Sequence, residues 1–366
     1  MDAARTDTGC SRCGMPLTFD ALVSGVPGEA GVCGHCATAE PVPAAPQVDR
    51  SALLDRIFAV YRGAPVEPGE GYESVLRTLP SAGGDIDGVV LYSGGKDSSW
   101  MLADLVHRGL KVVAWMLDQG YQSPAAIDNA RFLCDRLGVD LVIAKPEREP
   151  MDNLFRIGFG IPDQGDPELV RSAMTFGSAC WPCFATISAR ATVFCRENDV
   201  PFCFVGTHKG QNRVGDETAM AQTFLPPLSA AADGFVAPLR DHARTRAPES
   251  ADLLDTAPSR TILVPFYEFV PRPAREDLIA DLEAMGWRVP RNTGSCSTNC
   301  MINELGCQVM RHQYGFDVYQ VFEAHERRLD PEAGPVRPGP LDEAAVRRGA
   351  RLIGLTPEEE RAFGLA

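Results

Sequence analysis

The chain has 366 residues, of which 45% are hydrophobic and 8% aromatic, so it can bury a full core in about two or three units. Its formal net charge of -14 disfavours tRNA and favours a small-molecule substrate, because phosphate binding depends on clustered Lys and Arg. No apolar run suits a membrane span, and the first residues, MDAARTDTGC, do not resemble a signal peptide. We therefore expect a globular cytoplasmic protein with no membrane contact.

Four of the twelve cysteines form two CxxC pairs near the N-terminus. In a long chain without an export signal, such pairs indicate metal ligation rather than a disulfide framework. Two pairs separated by about twenty residues have the spacing of a closed tetrahedral zinc site, which leaves no open position for catalysis. We predict a structural Zn²⁺ held by Cys10, Cys13, Cys33 and Cys36. The stretch PVPAAP that follows indicates a linker, so this unit is predicted to be a small module on a tether.

Between Ser51 and Arg62 apolar residues recur with a helical period, and this helix is expected to pack on the main domain. From Asp87 onwards, short apolar strands alternate with helices, beginning with GVVLY, DSSWMLADLVHR, KVVAWML, AAIDNARFLCDRLG and VDLVIA. This alternation predicts an α/β fold with a doubly wound parallel sheet, whose ligands bind at the carboxyl ends of the strands. A later strand, TILVPFYEFV, and the helices REDLIADLEAMG and NELGCQVMRHQYGF are predicted near the C-terminus.

The segment from Tyr92 to Ser99, YSGGKDSS, lies between a predicted strand and a predicted helix. Its two glycines let the backbone turn tightly and point N–H groups inward, while the helix N-terminus and Lys96 add positive charge. The spacing is not that of the Walker A motif, which separates its glycines more widely. The segment therefore predicts a phosphate cradle formed by Ser93, Gly94, Gly95, Lys96, Asp97, Ser98 and Ser99.

A second group of cysteines is split between distant parts of the chain. Cys180 and Cys183 form a CxxC pair before a predicted helix, and Cys300 lies more than a hundred residues later. These three could hold three irons of a [4Fe-4S] cluster, could bind zinc, or could be a redox pair and core cysteines; Cys296 is the alternative third ligand. Because the pair precedes a helix of the parallel sheet, we expect it at the same edge as the phosphate cradle, with Cys300 folded back onto it.

The motif SGGKDS resembles the SGGxDS motif of the PP-loop ATP pyrophosphatase superfamily. Within it, the chain most resembles the N-acetyl sugar amidotransferases, because the segments around Cys10, Phe19 and Cys33 are similar to that family's CxxCxxP, FD and GVCxxC pattern. The resemblance implies a PP-loop, HUP-like fold and an enzyme that splits ATP into AMP and pyrophosphate, with Mg²⁺ bridging the phosphates. It also implies nucleotide contacts at the ends of the second and fourth strands, from Met116, Asp118, Gly120 and Gly206.

In the reaction that this resemblance implies, the acetamido oxygen of an N-acetyl sugar is adenylylated and ammonia from a separate glutaminase partner replaces AMP. The segment VGTHKGQN, from Val205 to Asn212, looks as much like the tRNA-thiolating branch of the superfamily. In that branch a CxxC plus one later cysteine holds an iron-sulfur cluster, and sulfide takes the place of ammonia. ATP-dependent sulfur transfer, to tRNA or a small metabolite, is therefore the alternative function. His208 and Lys209 are candidates to stabilise the charge of the adenylate.

The predicted organisation has six parts. They are a zinc-ribbon-like module at 1–45, a linker and helix at 46–82, a PP-loop domain at 83–228, a loop or insertion at 229–260, a C-terminal unit that completes the site at 261–330, and a tail at 331–366.

Overall fold

A computed structural model gives the architecture of the chain. It describes residues 9–24, 28–38, 49–69, 73–161, 166–207, 225–291, 293, 297, 299–329 and 340–365. Its parallel sheet contains β1 Gly88–Leu91, β2 Val112–Leu117, β3 Leu141–Ala144, β4 Phe202–Val205 and β5 Ile262–Pro265. The strand order is β3-β2-β1-β4-β5, so the winding reverses between β1 and β4. The predicted doubly wound α/β fold is confirmed, and in such a sheet ligands bind outside the carboxyl ends of the strands at this reversal.

Helices cover both faces of the sheet and continue beyond it. They are α1 Leu17–Phe19, α2 Gly34–Thr38, α3 Ser51–Tyr61, α4 Glu73–Leu76, α5 Lys96–His107, α6 Pro124–Leu137, α7 Arg148–Gly160, α8 Pro167–Phe176, α9 Cys180–Glu197, α10 Leu228–Arg246, α11 Pro248–Ala251, α12 Arg275–Ala284, α13 Asn303–Tyr314, α14 Val318–Leu329, α15 Glu343–Ile353 and α16 Pro357–Ala362. None of these helices is long and apolar enough to cross a bilayer.

The three central strands, β1, β2 and β4, are buried on both faces, as expected for a parallel sheet with helices on each side. Alternate residues point to opposite faces, so Val90 and Ala114 pack toward α3, α5 and α6, whereas Val89 and Val113 pack toward α9. This arrangement leaves the loops at the carboxyl ends of the strands as the open edge of the sheet.

The prediction of a loop or insertion at 229–260 is wrong in its secondary structure, because most of this segment is helical. α10 buries Leu228, Ala232, Val236, Leu239 and Ala243, which form one stripe at helical spacing. Two of these five residues are alanines, and Pro238 lies inside the helix, so the apolar period is weak in the sequence. α10 packs against α9 and forms part of a helical core beside the sheet.

The N-terminal module is not isolated on a tether. Its buried Met15 and Phe19 belong to a core cluster that includes residues of α8, α13 and α14. The ring of Phe19 meets that of Phe316 edge to face, with centroids 6.0 Å apart. The predicted linker, PVPAAP, lies outside the described residues, and its composition carried no information about where the module would dock.

The chain beyond Leu329, predicted as a tail with one helix, contains two helices within residues 340–365. The amphipathic α15 buries Val346, Ala350 and Ile353 against the helical core. A capping box at Thr356 and Glu359 begins α16, and Glu359 pairs with Arg156 at 3.0 Å. This end of the chain therefore packs on the body of the protein.

Candidate active site

The predicted phosphate cradle is a tight turn between β1 and α5. Gly94 has φ +69°, and a Cβ there would lie 2.1 Å from the carbonyl oxygen of Ala126, so this position requires glycine. The Oγ atoms of Ser93 and Ser98 lie 3.0 Å apart, and Ser98 Oγ accepts from the Ser93 N–H. The turn places residues 93–99 at the carboxyl end of β1 and the N-terminus of α5, a position suited to phosphate binding.

The carboxylate of Asp97 lies between two cations. Lys96 Nζ contacts Oδ2, and Arg272 Nε donates to Oδ1 at 2.7 Å. Burial alone would raise the pKa of Asp97, but Lys96 and Arg272 outweigh burial and hold that pKa well below its usual range. Burial lowers the pKa of Lys96, against the opposing effect of the Asp97 charge. The loop therefore carries an ionised carboxylate that could meet a divalent cation.

Arg272 belongs to a segment after β5 that folds back over the phosphate loop. The Tyr267 hydroxyl donates to the carbonyl oxygen of Asp97 at 2.8 Å, and Trp287 Nε1 donates to that of Gly94 at 3.0 Å. Both bonds engage backbone carbonyls, so they fix the loop without using its N–H groups. The sequence analysis did not identify Tyr267, Arg272 or Trp287, and the placement of Arg272 between two prolines was the one local sign of an unusual turn.

Three residues at or just after the end of β2, Met116, Asp118 and Gly120, were predicted to contact nucleotide. Met116 is fully buried in the core, so its side chain is not available to a ligand. Asp118 Oδ2 pairs with Lys145 at 3.1 Å, and its Oδ1 accepts from the Gly120 N–H at 3.1 Å. Gly120 has φ +87°, and a Cβ there would lie 2.9 Å from a guanidinium nitrogen of Arg148. The nucleotide contacts of Asp118 and Gly120 remain predictions.

Gly206 follows β4 and lies against the phosphate loop. A Cβ at this position would be 3.7 Å from the Cα atom of Ser98 and 3.4 Å from the Met101 methyl group. The ends of β1 and β4 therefore meet where the winding reverses. His208 and Lys209 lie outside the described residues, and their proposed roles remain predictions.

Cys300 reaches this edge through a short antiparallel pairing with the segment that joins β2 to α6. It forms a bridge with Gln122, and the flanking Met301 N–H donates to the Tyr121 carbonyl oxygen at 2.9 Å. The first turn of α6, which follows that segment, contains Ala126, the residue that touches Gly94. Cys300 is therefore connected to the phosphate loop through a few residues of one segment.

Cys180 and Cys183 lie in the first turn of α9, which packs against β1 and β2 and leads into β4. A helix that leads into a parallel strand begins at the carboxyl edge of the sheet. Burial, followed by the smaller effect of the Cys300 charge, raises the pKa of Cys180 to about 12. Burial and the charges of Cys300 and Cys180 raise the pKa of Cys183. The charge of Cys300 acts on both thiols of the pair, so the three lie near one another, but among the described residues only the four N-terminal cysteines form a group close enough to hold a metal ion.

Asn303, at the start of α13, is a polar neighbour of this group that the sequence analysis missed. It is 4% exposed, and its Nδ2 lies 3.8 Å from Cys180 Sγ and 2.9 Å from the Tyr319 hydroxyl. Its Oδ1 is buried and has no hydrogen-bond partner among the described residues. An unsatisfied buried oxygen beside three thiols indicates a site built for a polar or charged group.

The four N-terminal cysteines form a compact site. Their sulfur atoms all lie within 4.8 Å of one another, and Cys13 Sγ and Cys33 Sγ are 3.7 Å apart. Backbone N–H groups face two of the sulfurs, from Arg12 to Cys10 and from Cys36 to Cys33. Four buried thiols at this spacing fit a tetrahedral Zn²⁺, which remains a prediction for this chain.

No known family profile matches the chain, and no curated protein matches it. Among solved structures it is similar to a predicted subunit of tRNA methyltransferase from Methanocaldococcus jannaschii, with 14% identity over 54% of this chain and 74% of that one and a TM-score of 0.29. It is also similar to the U34-tRNA thiolase NcsA from Methanococcus maripaludis with its [4Fe-4S] cluster, with 15% identity over 95% and 89% of the two chains and a TM-score of 0.35. Similarity at this level transfers no activity, and the fold assignment rests on the sheet and loop described above.

By their printed names both proteins take part in tRNA modification, and neither is a sugar amidotransferase, which contradicts the expected preference for a small-molecule sugar over tRNA. The net charge of -14 behind that expectation is summed over the whole chain, whereas a nucleic acid meets one local surface.

Proposed function

We propose that this chain is an ATP-dependent sulfurtransferase of the PP-loop class, with tRNA as its acceptor. The observation that carries the proposal is the position of Cys180 and Cys183 at the start of α9 and of Cys300 beside Gln122, near the sheet edge that holds the phosphate loop. A sulfur nucleophile gives these three thiols a chemical role that ammonia would not. The acceptor class follows the names of the two similar structures.

The reaction takes place in two balanced steps. In the first, a carbonyl oxygen of the acceptor base attacks the α-phosphorus of ATP, and the bond to the β-phosphate breaks to release pyrophosphate. In the second, hydrosulfide attacks the activated carbon, and AMP leaves with the former carbonyl oxygen while a proton is lost. Activation is required because a carbonyl oxygen is a poor leaving group until it becomes part of a phosphate ester.

Different residues of the phosphate loop have different roles in the first step. The N–H groups at the start of α5 and the Lys96 ammonium offer positive charge to the phosphates. Asp97, ionised between Lys96 and Arg272, is the side chain that would hold Mg²⁺ against those phosphates. Tyr267 and Trp287 keep the loop in this shape from the C-terminal side.

The second step depends on the three thiols. We assign Cys180, Cys183 and Cys300, three free thiols near one another, as the ligands of a [4Fe-4S] cluster. When bound, such a cluster supplies one iron without a protein thiolate, where sulfide can bind. Asn303 is buried, and Cys180 and Cys183 are half-buried, so this part of the site has limited access to water.

Anaerobic purification and reconstitution with iron and sulfide test the metal part of the proposal. We expect an iron-sulfur absorption spectrum in the wild type and its loss in Cys180→Ser and Cys300→Ser. Cys134→Ser is the matched control, because Cys134 is a buried thiol of α6 outside the group. A wild type that binds no iron, or a Cys300→Ser variant that binds as much as the control, would remove the cluster from the proposal.

A further inference from the structure

Helix α14 connects the surroundings of the two cysteine groups. Its N-terminal end is linked to Cys180 through Asn303 and Gly177, and Arg328 at its C-terminal end contacts Cys33. A helix of 12 residues is about 18 Å long and behaves as a rigid rod over that distance.

At the N-terminal end, two residues of α14 contact neighbours of Cys180, namely Asn303 at the start of α13 and Gly177 just before α9. The Tyr319 hydroxyl lies 2.9 Å from Asn303 Nδ2, and the same nitrogen lies 3.8 Å from Cys180 Sγ. Val318 packs against Gly177, where an added Cβ would lie 3.3 Å from its methyl carbon and 3.5 Å from the Cβ of Cys180. A shift of α14 would therefore move the surroundings of Cys180 through both contacts.

At the C-terminal end, Arg328 reaches into the N-terminal cysteine site. Its Nη2 donates to Cys33 Sγ at 3.2 Å, across 295 residues of sequence. A divalent zinc ion held by four thiolates leaves a net negative charge, which is costly to bury without a compensating cation. Arg328 supplies that cation and an N–H donor to a sulfur, as outer partners of metal ligands commonly do.

We propose that Arg328 is a positioning residue that fixes α14 to the N-terminal metal site, so that zinc bound there sets the position of Cys180. The metal pulls the four thiolates together, their combined charge holds the guanidinium, and the guanidinium holds the end of α14. Asn303 and Gly177 transmit the position of the helix to Cys180. The two cysteine sites are therefore coupled, although no residue belongs to both.

The test uses zinc-loaded, iron-free protein and does not depend on ATP turnover. Zinc loss to a chelator and alkylation of Cys180 by iodoacetamide, followed by mass spectrometry, are measured in the wild type, Arg328→Met and Arg328→Lys. Arg347→Met is the matched control, because Arg347 is an exposed arginine on α15. Cys203, which is completely buried, reports on global unfolding.

We expect Arg328→Met to release zinc roughly 10-fold faster or more, as typically found for outer-shell partners, with Arg328→Lys between it and the wild type. Removing zinc from the wild type should speed alkylation of Cys180 several-fold and leave Cys203 unreactive. Zinc-loaded Arg328→Met should approach that faster rate. If Cys203 also reacts in Arg328→Met, that variant has unfolded, and the test then relies on Arg328→Lys, provided that its Cys203 stays unreactive. Wild-type zinc release in that variant, or Cys180 alkylation that does not respond to zinc, would overturn the proposal.

Discussion

Arg272 donates a hydrogen bond to the carboxylate of Asp97 at 2.7 Å, across 175 residues of sequence. Both side chains are 24% exposed, so the ion pair is shielded from much of the solvent. The pair gives Asp97 a counter-ion from the C-terminal part of the chain in addition to its neighbour Lys96. When Lys96 turns toward phosphate, Asp97 would therefore keep one cation.

Replacing Arg272 tests whether this second counter-ion leaves Lys96 free to bind phosphate. In Arg272→Ala, Asp97 would hold Lys96 more strongly, and the KM for ATP should rise about tenfold, equivalent to about 1.4 kcal/mol. Arg272→Lys retains the charge and should lie between this variant and the wild type. AMP formation measured against ATP concentration gives KM and kcat separately. An unchanged KM in Arg272→Ala would show that Lys96 does not depend on this partner.

Acid should remove the contribution of Asp97 to stability. Its pKa in the folded protein lies below the ordinary value of 3.8, so the ion pairs stabilise the fold at pH values above 3.8. That contribution is lost as pH falls below this value toward the folded-state pKa. The wild type should therefore exceed Asp97→Asn in unfolding free energy at about pH 7, and the difference should shrink at about pH 2.5. Urea unfolding at both pH values measures it, and a constant difference would contradict the assignment.

Gly94 and Gly138 have almost the same φ, so replacing each by alanine separates the cost of backbone strain from the cost of a steric clash. Gly138 has φ +67° and nothing within 4 Å of an added Cβ, whereas Gly94 has φ +69° and the Ala126 carbonyl at 2.1 Å. Gly138→Ala should cost about 1 kcal/mol through backbone strain alone. Gly94→Ala must also move α6, so it should cost about 3 kcal/mol and abolish ATP binding. Thermal unfolding and nucleotide titration measure the two effects, and equal costs would mean that the loop is not pressed against α6.

Loss of the N-terminal metal should reach beyond the module. Cys33→Ser should release the zinc, because metal affinity in such a site is folding free energy. Since Phe19 and Met15 share a core with α13 and α14, the variant should unfold at a lower temperature as a whole chain. Metal analysis and calorimetry check both points. Retained zinc would mean that the ligand set is wrong. An unchanged unfolding temperature of the main domain would mean that the module is an independent unit on a tether, as the sequence predicted.

The sequence predicts those features of the site that depend on local spacing. Gly94 and Gly95 between a strand and a helix indicate the phosphate turn, and the two N-terminal CxxC pairs indicate the compact thiol site. The parallel sheet follows from the alternation of short strands and helices, which also places Cys180 at the edge beside the loop.

Contacts made when the chain folds back could not be predicted in the same way. Arg272 and Trp287 contact the phosphate loop only because the segment after β5 returns to it. Local periodicity in the sequence does not indicate that return. Nothing in the local sequence distinguishes Asn303 from an ordinary helix start or Arg328 from an ordinary surface arginine. α10 was missed for a different reason, since two of the five residues in its buried stripe are alanines, which add little to an apolar pattern, and Pro238 lies inside the helix.

The most direct test of the proposed function is the ratio of labelled sulfur incorporated into tRNA to AMP formed, measured anaerobically with ³⁵S-sulfide. We expect about one AMP and one pyrophosphate for each sulfur in the wild type and in Cys134→Ser, because one adenylate is consumed per transfer. Cys300→Ser should incorporate no sulfur, and Lys96→Ala should form neither product. ADP as the main nucleotide product, or AMP formation with tRNA that remains free of sulfur, would contradict the account.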